Sequence, residues 1–450
     1  MNETYIAAIE VSSSKIVAAI GKTNGNGSLD IIAVEHEQTP EGGVRYGIIQ
    51  NLEETSMIVA RLFTRLEQRA SISPRKIKGV IVGLGGRSLK NITKEVSLSL
   101  PEDTEINDEI LNRLHEQAIH SAIDNTLEVV DAVPRFFKVG NSETASPKGM
   151  VGNHISGIFD LIVCRPELKR NIRRTIIDKL HLRVEGFVVT AMATGHLILS
   201  PEEKRLGCML VDMGAETTTV TIYQKGALHY FATIPMGGRN ITRDIASLGV
   251  VDSKAEEIKI TSGNAIADPN MPTLNINGLK FSEISNFVIA RSEEIVANII
   301  EQMEYAGVKE SDLQGGIICI GGGFRLKGMR ELLQIQSDLN VRKGSLPEYV
   351  KIEDNRAHGV ELTEVASVLY AGATLDQVEC LETPKRTELP VNGVLPFPSD
   401  EEEEKDDINS LKYGKPEPKP RNVFMENMKK WGNKLGNIFS GPEEDDSELL

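Results

Sequence analysis

Apolar and polar positions alternate along the chain in blocks. An apolar run, YIAAIEV, breaks at a few small polar residues and resumes as KIVAAIGK, and similar runs recur as VIVGLGG at 80–86, FDLIVC at 159–164, CMLVDMG at 208–214 and GIICIGGG at 316–323. Short continuous apolar runs bounded by glycine predict strands buried on both faces, the arrangement of a sheet covered by helices. Between them, residues 168–180 and 284–306 carry apolar positions at helical spacing. Strands alternating with amphipathic crossovers predict an α/β fold.

The pattern changes near residue 382. TPKRTELPVNGVLPFPSDEEEEKDDINSLKYGKPEPKP has too few apolar residues for a core, so 382–419 is predicted to be a disordered acidic and proline-rich linker. Residues 420–441 then carry Phe424, Met428, Trp431, Leu435 and Ile438 at steps of four, three, four and three, the spacing of one helix face. Phe439 widens that stripe, and Lys429, Lys430 and Lys434 flank it. Lysines rimming an aromatic and aliphatic face predict a helix lying in an anionic membrane interface, with docking to a partner protein or to the chain's own body as the other readings. An acidic tail, 442–450, follows.

Composition narrows the class. With 450 residues, 40% hydrophobic and 26% charged, the chain has room for two to four domains. A net charge of −15 argues against a general nucleic-acid binder, which needs a basic face. Cys164, Cys208, Cys319 and Cys380 are far apart, and no C-x-x-C occurs, so buried reduced thiols are expected rather than disulfides or a metal site. There is no basic leader segment and no apolar run of spanning length, which predicts a cytosolic chain unless something else carries it to a membrane.

Two segments share one design. IAAIEVSSSKIVAAIGK at 6–22 and CMLVDMGAETTTVTIYQKG at 208–226 each pair an apolar strand ending in an acid with a small-residue turn and a second apolar strand. Glu10 aligns with Asp212, and Ser12, Ser13, Ser14 and Lys15 align with Gly214, Ala215, Glu216 and Thr217. Small residues let backbone N–H groups approach phosphate oxygens, and a carboxylate at a strand end can hold Mg²⁺ directly or through water. Either turn alone is as readily structural. Together they predict a cleft that clamps ATP and Mg²⁺, with Asp212 toward the metal. A third turn, Gly321-Gly322-Gly323-Phe324, ends a buried strand and leads into a helix, which permits close approach of a ribose, purine or phosphate.

This order of elements resembles the actin, hexokinase and heat-shock-chaperone ATPase superfamily and, within it, the FtsA family of bacterial cell-division proteins. The resemblance covers roughly residues 4–380 and the terminal helix. PMGGRNITRDIA at 235–246 resembles the loop and helix that place Gly237, Gly238 and Asn240 near the nucleotide. AEEIKITSG at 255–263 carries Glu256 and Lys259 at the spacing that relatives use around adenosine, together with Gly321, Gly322, Gly323 and Phe324. Residues 84–163 resemble the inserted FtsA subdomain. The resemblance implies an actin-like two-lobed fold, with 1–83 and 164–205 in a first lobe, to which part of 361–381 returns, and 206–380 in a second.

The chain departs from the superfamily at Glu10 and Ser12, where aspartate and glycine are usual, and at Ala215 and Glu216, which replace glycines. A carboxylate at 216 needs Mg²⁺, water or a lysine to face. The resemblance further implies that ATP acts as a conformational ligand with slow hydrolysis at most, and no residue is marked as a catalytic base. Implied partners are the C-terminal tail of FtsZ, other copies of the chain in protofilaments, later division proteins and anionic membrane lipid. The implied location is the cytoplasmic face of the inner membrane at the division site. A PilM-like pilus-assembly protein and a small-molecule kinase of the same superfamily are the competing readings.

Overall fold

The computed structural model describes residues 4–23, 28–267, 275–276, 278–354, 362–375 and 378–383. The linker beyond residue 383, the 420–441 segment with its apolar and lysine residues, and the acidic tail lie outside the described residues.

Two sheets repeat one topology. In the first, Thr4–Val11, Lys15–Thr23 and Leu29–Gln38 form an antiparallel meander, and Gly79–Leu84 then Arg183–Val189 add in parallel beside the opening strand. In the second, Cys208–Met213, Thr218–Gln224 and Ala227–Ile234 form the meander, and Ile317–Ile320 then Val341–Lys343 add in parallel. The duplication read in the two hairpins thus extends to five strands in each half.

Helices explain the continuous apolar runs. Leu52–Glu67 and Thr363–Ala373 pack on the first sheet, whose strands are buried at consecutive positions from Ile6 to Ile9 and from Ile16 to Ile20. Such strands are covered on both faces. Helix Leu52–Glu67 starts where Asn51 accepts the Glu54 N–H at 3.1 Å, the usual way to satisfy a first-turn donor. The second sheet lies under Phe281–Ala306 and Met329–Ser337, and its core includes Val211, Val220, Ile295 and Ile317. The chain returns to the first sheet before residue 361, because Val350–Ile352 already pairs in parallel with Leu29–Gln38. All four cysteines are buried and free.

Between Gly79–Leu84 and Arg183–Val189 the chain builds a separate antiparallel sheet from Lys90–Glu105, Glu128–Val139, Ser142–Thr144 and Val151–Cys164. Helix Asp108–Ile119 covers one face, and Leu114, Phe137 and Phe159 share its core. Arg135 ties this sheet to the second lobe. Its guanidinium pairs with Asp160, which is fully buried, and donates to the His229 carbonyl at 2.8 Å. Asn91 and Thr93 supply two further donors to Asp160, at 3.0 and 3.1 Å.

Candidate functional site

The pseudo-equivalent hairpins turn toward each other across one cleft of about 990 Å³. Glu10, Ser12, Ser13, Ser14 and Lys15 line it from the first lobe, and Asp212, Gly214, Ala215, Glu216 and Thr217 line it from the second. Each acid stands near the end of the opening strand of its sheet, in register with Gly83 and Ile320 respectively. Each turn closes on itself: Ser12 N–H donates to the Lys15 carbonyl at 3.0 Å, and Gly214 N–H to the Thr217 carbonyl at 2.9 Å. The Ser12 hydroxyl is spent inside its turn on the Lys15 carbonyl at 2.8 Å.

The glycine-ended strand forms part of the same wall. Gly321 has φ of +88°, and a Cβ there would lie 2.4 Å from the Met213 carbonyl oxygen and 2.6 Å from an Asp212 carboxylate oxygen. Only glycine allows the strand to pass this close to the acid. A Cβ on Gly323 would meet Met213 Cγ at 2.7 Å. Around Gly322, which lines the cleft, there is open space.

Glu256 and Lys259 also line the cleft, one turn apart on helix Asp252–Ser262. Their side chains pair at 2.6 Å, and Lys259 reaches the Gly238 carbonyl at 3.1 Å, so the pair fastens this helix to Gly238–Ala246. Gly238 lines the cleft, whereas Gly237, Asn240, Gly321 and Phe324 do not. A Cβ on Gly237 would meet the Gly214 carbonyl at 2.6 Å, and the Asn240 side chain accepts the Gly237 N–H at 3.0 Å. These two residues dock the helix start onto the second turn, where Gly238 N–H bonds to the Gly214 carbonyl and Arg239 N–H to the Ala215 carbonyl. Phe324 packs into the second-lobe core.

Two features lay beyond the sequence reading. Glu364, in the first turn of Thr363–Ala373, lines the cleft with Glu10 and Asp212. Burial, then the Glu364 and Asp212 carboxylates, push the Glu10 carboxyl well above its ordinary range, and Lys15 partly opposes them. No local signal connects Glu364 to Glu10. The second feature is an arginine cluster around Glu216: Arg45, Arg239 and Arg243 all approach its carboxylate. Arg239 and Arg243 stand four apart in the quoted RNITR segment, a spacing that could have flagged one helix face. Burial favours the neutral form of Glu216, but the Tyr46 N–H and the guanidiniums of Arg239 and Arg45 outweigh it and hold the carboxyl below its ordinary range. The side-chain cations facing Glu216 are arginines rather than a lysine.

The donor set fits a magnesium nucleotide. Small-residue turns and Lys15 suit phosphate oxygens, the Glu10 and Asp212 carboxylates suit a divalent ion, and the glycine strand leaves room for a flat or ribose-like group. Among the described residues no group of three or more His, Cys, Asp or Glu is placed to hold a metal unaided. Glu10 and Asp212 would hold the ion, which would supply charge neutralisation to a bound phosphate.

A duplicated sheet of five-strand halves, with opposed hairpin turns across a cleft, defines an actin-like two-lobed fold of the ATPase type, here with an inserted subdomain. The PilM–PilN type IV pilus biogenesis complex aligns on it with a TM-score of 0.56 at 17% identity, covering 81% of this chain and 97% of that one, a likeness of fold alone. The sequence model of cell division protein FtsA matches residues 209–368, and that of the SHS2 domain inserted in FtsA matches residues 86–163. Cell division protein FtsA of Porphyromonas gingivalis is 29% identical over 336 residues, 72% of this chain and 69% of its own. That of Bacillus subtilis is 29% identical over 368 residues, 78% of this chain and 81% of its own. The chain belongs to the FtsA family of cell-division proteins.

Proposed function

We propose that the cleft binds ATP with Mg²⁺ as a conformational ligand, and that the chain assembles with copies of itself and tethers FtsZ filaments to the cytoplasmic membrane during division. One observation carries the nucleotide reading: both pseudo-equivalent turns, each with its strand-end acid, and the glycine-ended strand open onto one cavity. Asp212 and Glu10 would hold the ion, Ser13, Ser14, Lys15, Gly214 and Thr217 the phosphates, and Gly238, Glu256, Lys259 and Gly322 the adenosine side. Calorimetry tests this. Asp212→Ala should weaken Mg-ATP binding by about one to two powers of ten or more, since a carboxylate-held divalent ion stabilises bound phosphate by several kcal/mol. Unchanged affinity would remove the assignment.

Membrane tethering rests on the residue pattern at 420–441 and on family membership. No helix among the described residues is long and apolar enough to cross a membrane. Burying Trp431 in an interface contributes about 1.5–3 kcal/mol, and each nearby lysine about 1 kcal/mol on an anionic surface. Trp431→Glu should therefore release the protein from anionic vesicles while leaving ATP binding intact. Co-sedimentation equal to wild type would reassign the segment to a protein partner. The tether, the FtsZ tail, recruitment of later division proteins and the division-site location stand or fall with that experiment and with FtsZ capture on the same vesicles.

A further inference from the structure

Glu216 is 2% exposed, although it sits in the wall of an open cleft. Its carboxylate divides its contacts between the lobes. One oxygen accepts the Tyr46 N–H at 2.9 Å from the first lobe. The other lies 3.1 Å from Arg45 Nε of the same loop, 3.2 Å from Arg239 Nη1 and 3.1 Å from Arg243 Nη2, the last two on helix Gly238–Ala246 of the second lobe. Arg239 then crosses back, its Nη2 donating to the Ser13 carbonyl in the first hairpin turn at 3.0 Å. Two lobes that meet around the cleft are thus joined at Glu216–Tyr46, Glu216–Arg45 and Arg239–Ser13.

The first-lobe loop offers a fixed docking point. The Arg87 and Arg45 guanidiniums lie over the Tyr46 ring at 4.7 and 5.5 Å. Gly47 has φ of +86°, and a Cβ on it would come within 2.3 Å of the Gly85 carbonyl. Three guanidiniums against one carboxylate leave a local excess of positive charge beside the phosphate turns, in a cleft that Glu10, Asp212 and Glu364 also line.

We propose that Glu216 is a positioning residue rather than a phosphate ligand: it latches the second turn and helix Gly238–Ala246 to the 45–47 loop, holds Arg239 across the first turn, and so sets how fast a polyphosphate ligand enters and leaves. This rests on the nucleotide reading of the cleft. Opening requires the three cross-lobe contacts to break together. Glu216→Gln removes the charge that organises them and leaves Arg45, Arg239 and Arg243 repelling one another.

The test is stopped-flow exchange of a fluorescent ATP analogue with Mg²⁺ on the full chain, for wild type, Glu216→Gln and the milder Arg45→Gln, which removes the half-exposed guanidinium from Glu216 and from the Tyr46 ring but leaves the Tyr46 N–H and Arg239 contacts. Thermal melts run in parallel. In Glu216→Gln both association and dissociation should accelerate, by about tenfold or more, as expected for losing charge-assisted hydrogen bonds. Arg45→Gln should shift both rates in the same direction by less. A rise in dissociation alone makes Glu216 a direct ligand determinant and overturns the latch, as do unchanged rates in both variants. If wild type binds no nucleotide, the nucleotide reading fails by itself. The latch is then judged by hydrogen exchange at the Tyr46 amide without ligand: faster exchange in Glu216→Gln supports it, and an equal rate overturns it.

Discussion

The three glycines that end Ile317–Ile320 should respond differently to the same added methyl group. At Gly321 an alanine enters a left-handed conformation, which costs about 1–2 kcal/mol, and drives its Cβ to 2.4 Å from the Met213 carbonyl and 2.6 Å from the Asp212 carboxylate. Overpacking against backbone adds about 1–3 kcal/mol, so Gly321→Ala should lose about 2–5 kcal/mol in urea unfolding of the ligand-free protein. Gly322 has φ −67° and ψ −33°, an ordinary helical conformation, and open space where its Cβ would stand. Gly322→Ala should therefore leave stability unchanged or raise it by about 0.4–1 kcal/mol through the unfolded chain. Among the described residues nothing lies within 4 Å of that Cβ, so on the proposed nucleotide reading the space beside Gly322 is open to the ligand. If ATP packs against this backbone, the methyl should cost about 1–3 kcal/mol of binding, roughly 5- to 150-fold in calorimetric affinity for Mg-ATP. A destabilised Gly322→Ala, or one that binds like wild type, would refute that reasoning, and a fully stable Gly321→Ala would refute the geometry around Asp212.

Other outcomes follow from separate parts of the structure. Burial depresses the pKa of His115 to about 4, and burial followed by the Lys204 charge depresses that of His196 to about 3. Unfolded histidine titrates near 6.5, so the stability these neutral rings contribute is complete above about pH 6.5 and is lost as pH falls toward 4, by up to about 1.4 kcal/mol per unit for each ring; urea midpoints at pH 7, 6 and 5 read the slope, and His115→Asn should flatten it. Arg135→Ala leaves the Asp160 charge buried without its guanidinium and should cost about 3–5 kcal/mol, seen as a lowered melt that Asp160→Asn in the same chain partly restores. ATP hydrolysis should be slow or absent; steady-state turnover near the enzyme median of about 10 s⁻¹ would revive the kinase reading.

What the sequence made legible was local. A hairpin carries its strands, its turn and its acid within about twenty residues, so Glu10 and Asp212 could be paired by eye before any fold was known. The burial of Cys164, Cys208 and Cys319 was readable from the apolar runs around them, whereas Cys380, in DQVECLET, is buried without such a run. Gly237 and Asn240 were read by resemblance as neighbours of the nucleotide, and not as the residues that dock their helix on the second turn, because this depends on the Gly214 backbone passing beside them. Contacts between distant segments stayed hidden. Tyr46 and Glu216 are 170 positions apart, and no periodicity reports that a loop in one lobe faces a turn in the other. Thr363–Ala373 is buried on nearly all sides against the first sheet, a placement that no local pattern reports, so neither the place of Glu364 nor the early return of Val350–Ile352 could be foreseen.

The central claim is that both hairpin turns and the glycine-ended strand grip one nucleotide, and hydrogen exchange followed by mass spectrometry on the full chain with and without Mg-ATP tests it most directly. The account predicts that peptides spanning 10–17, 212–219 and 317–326 slow together on adding Mg-ATP, and that Asp212→Ala abolishes the protection in all three at the same nucleotide concentration. Protection confined to one turn, or located away from the cleft, would contradict it.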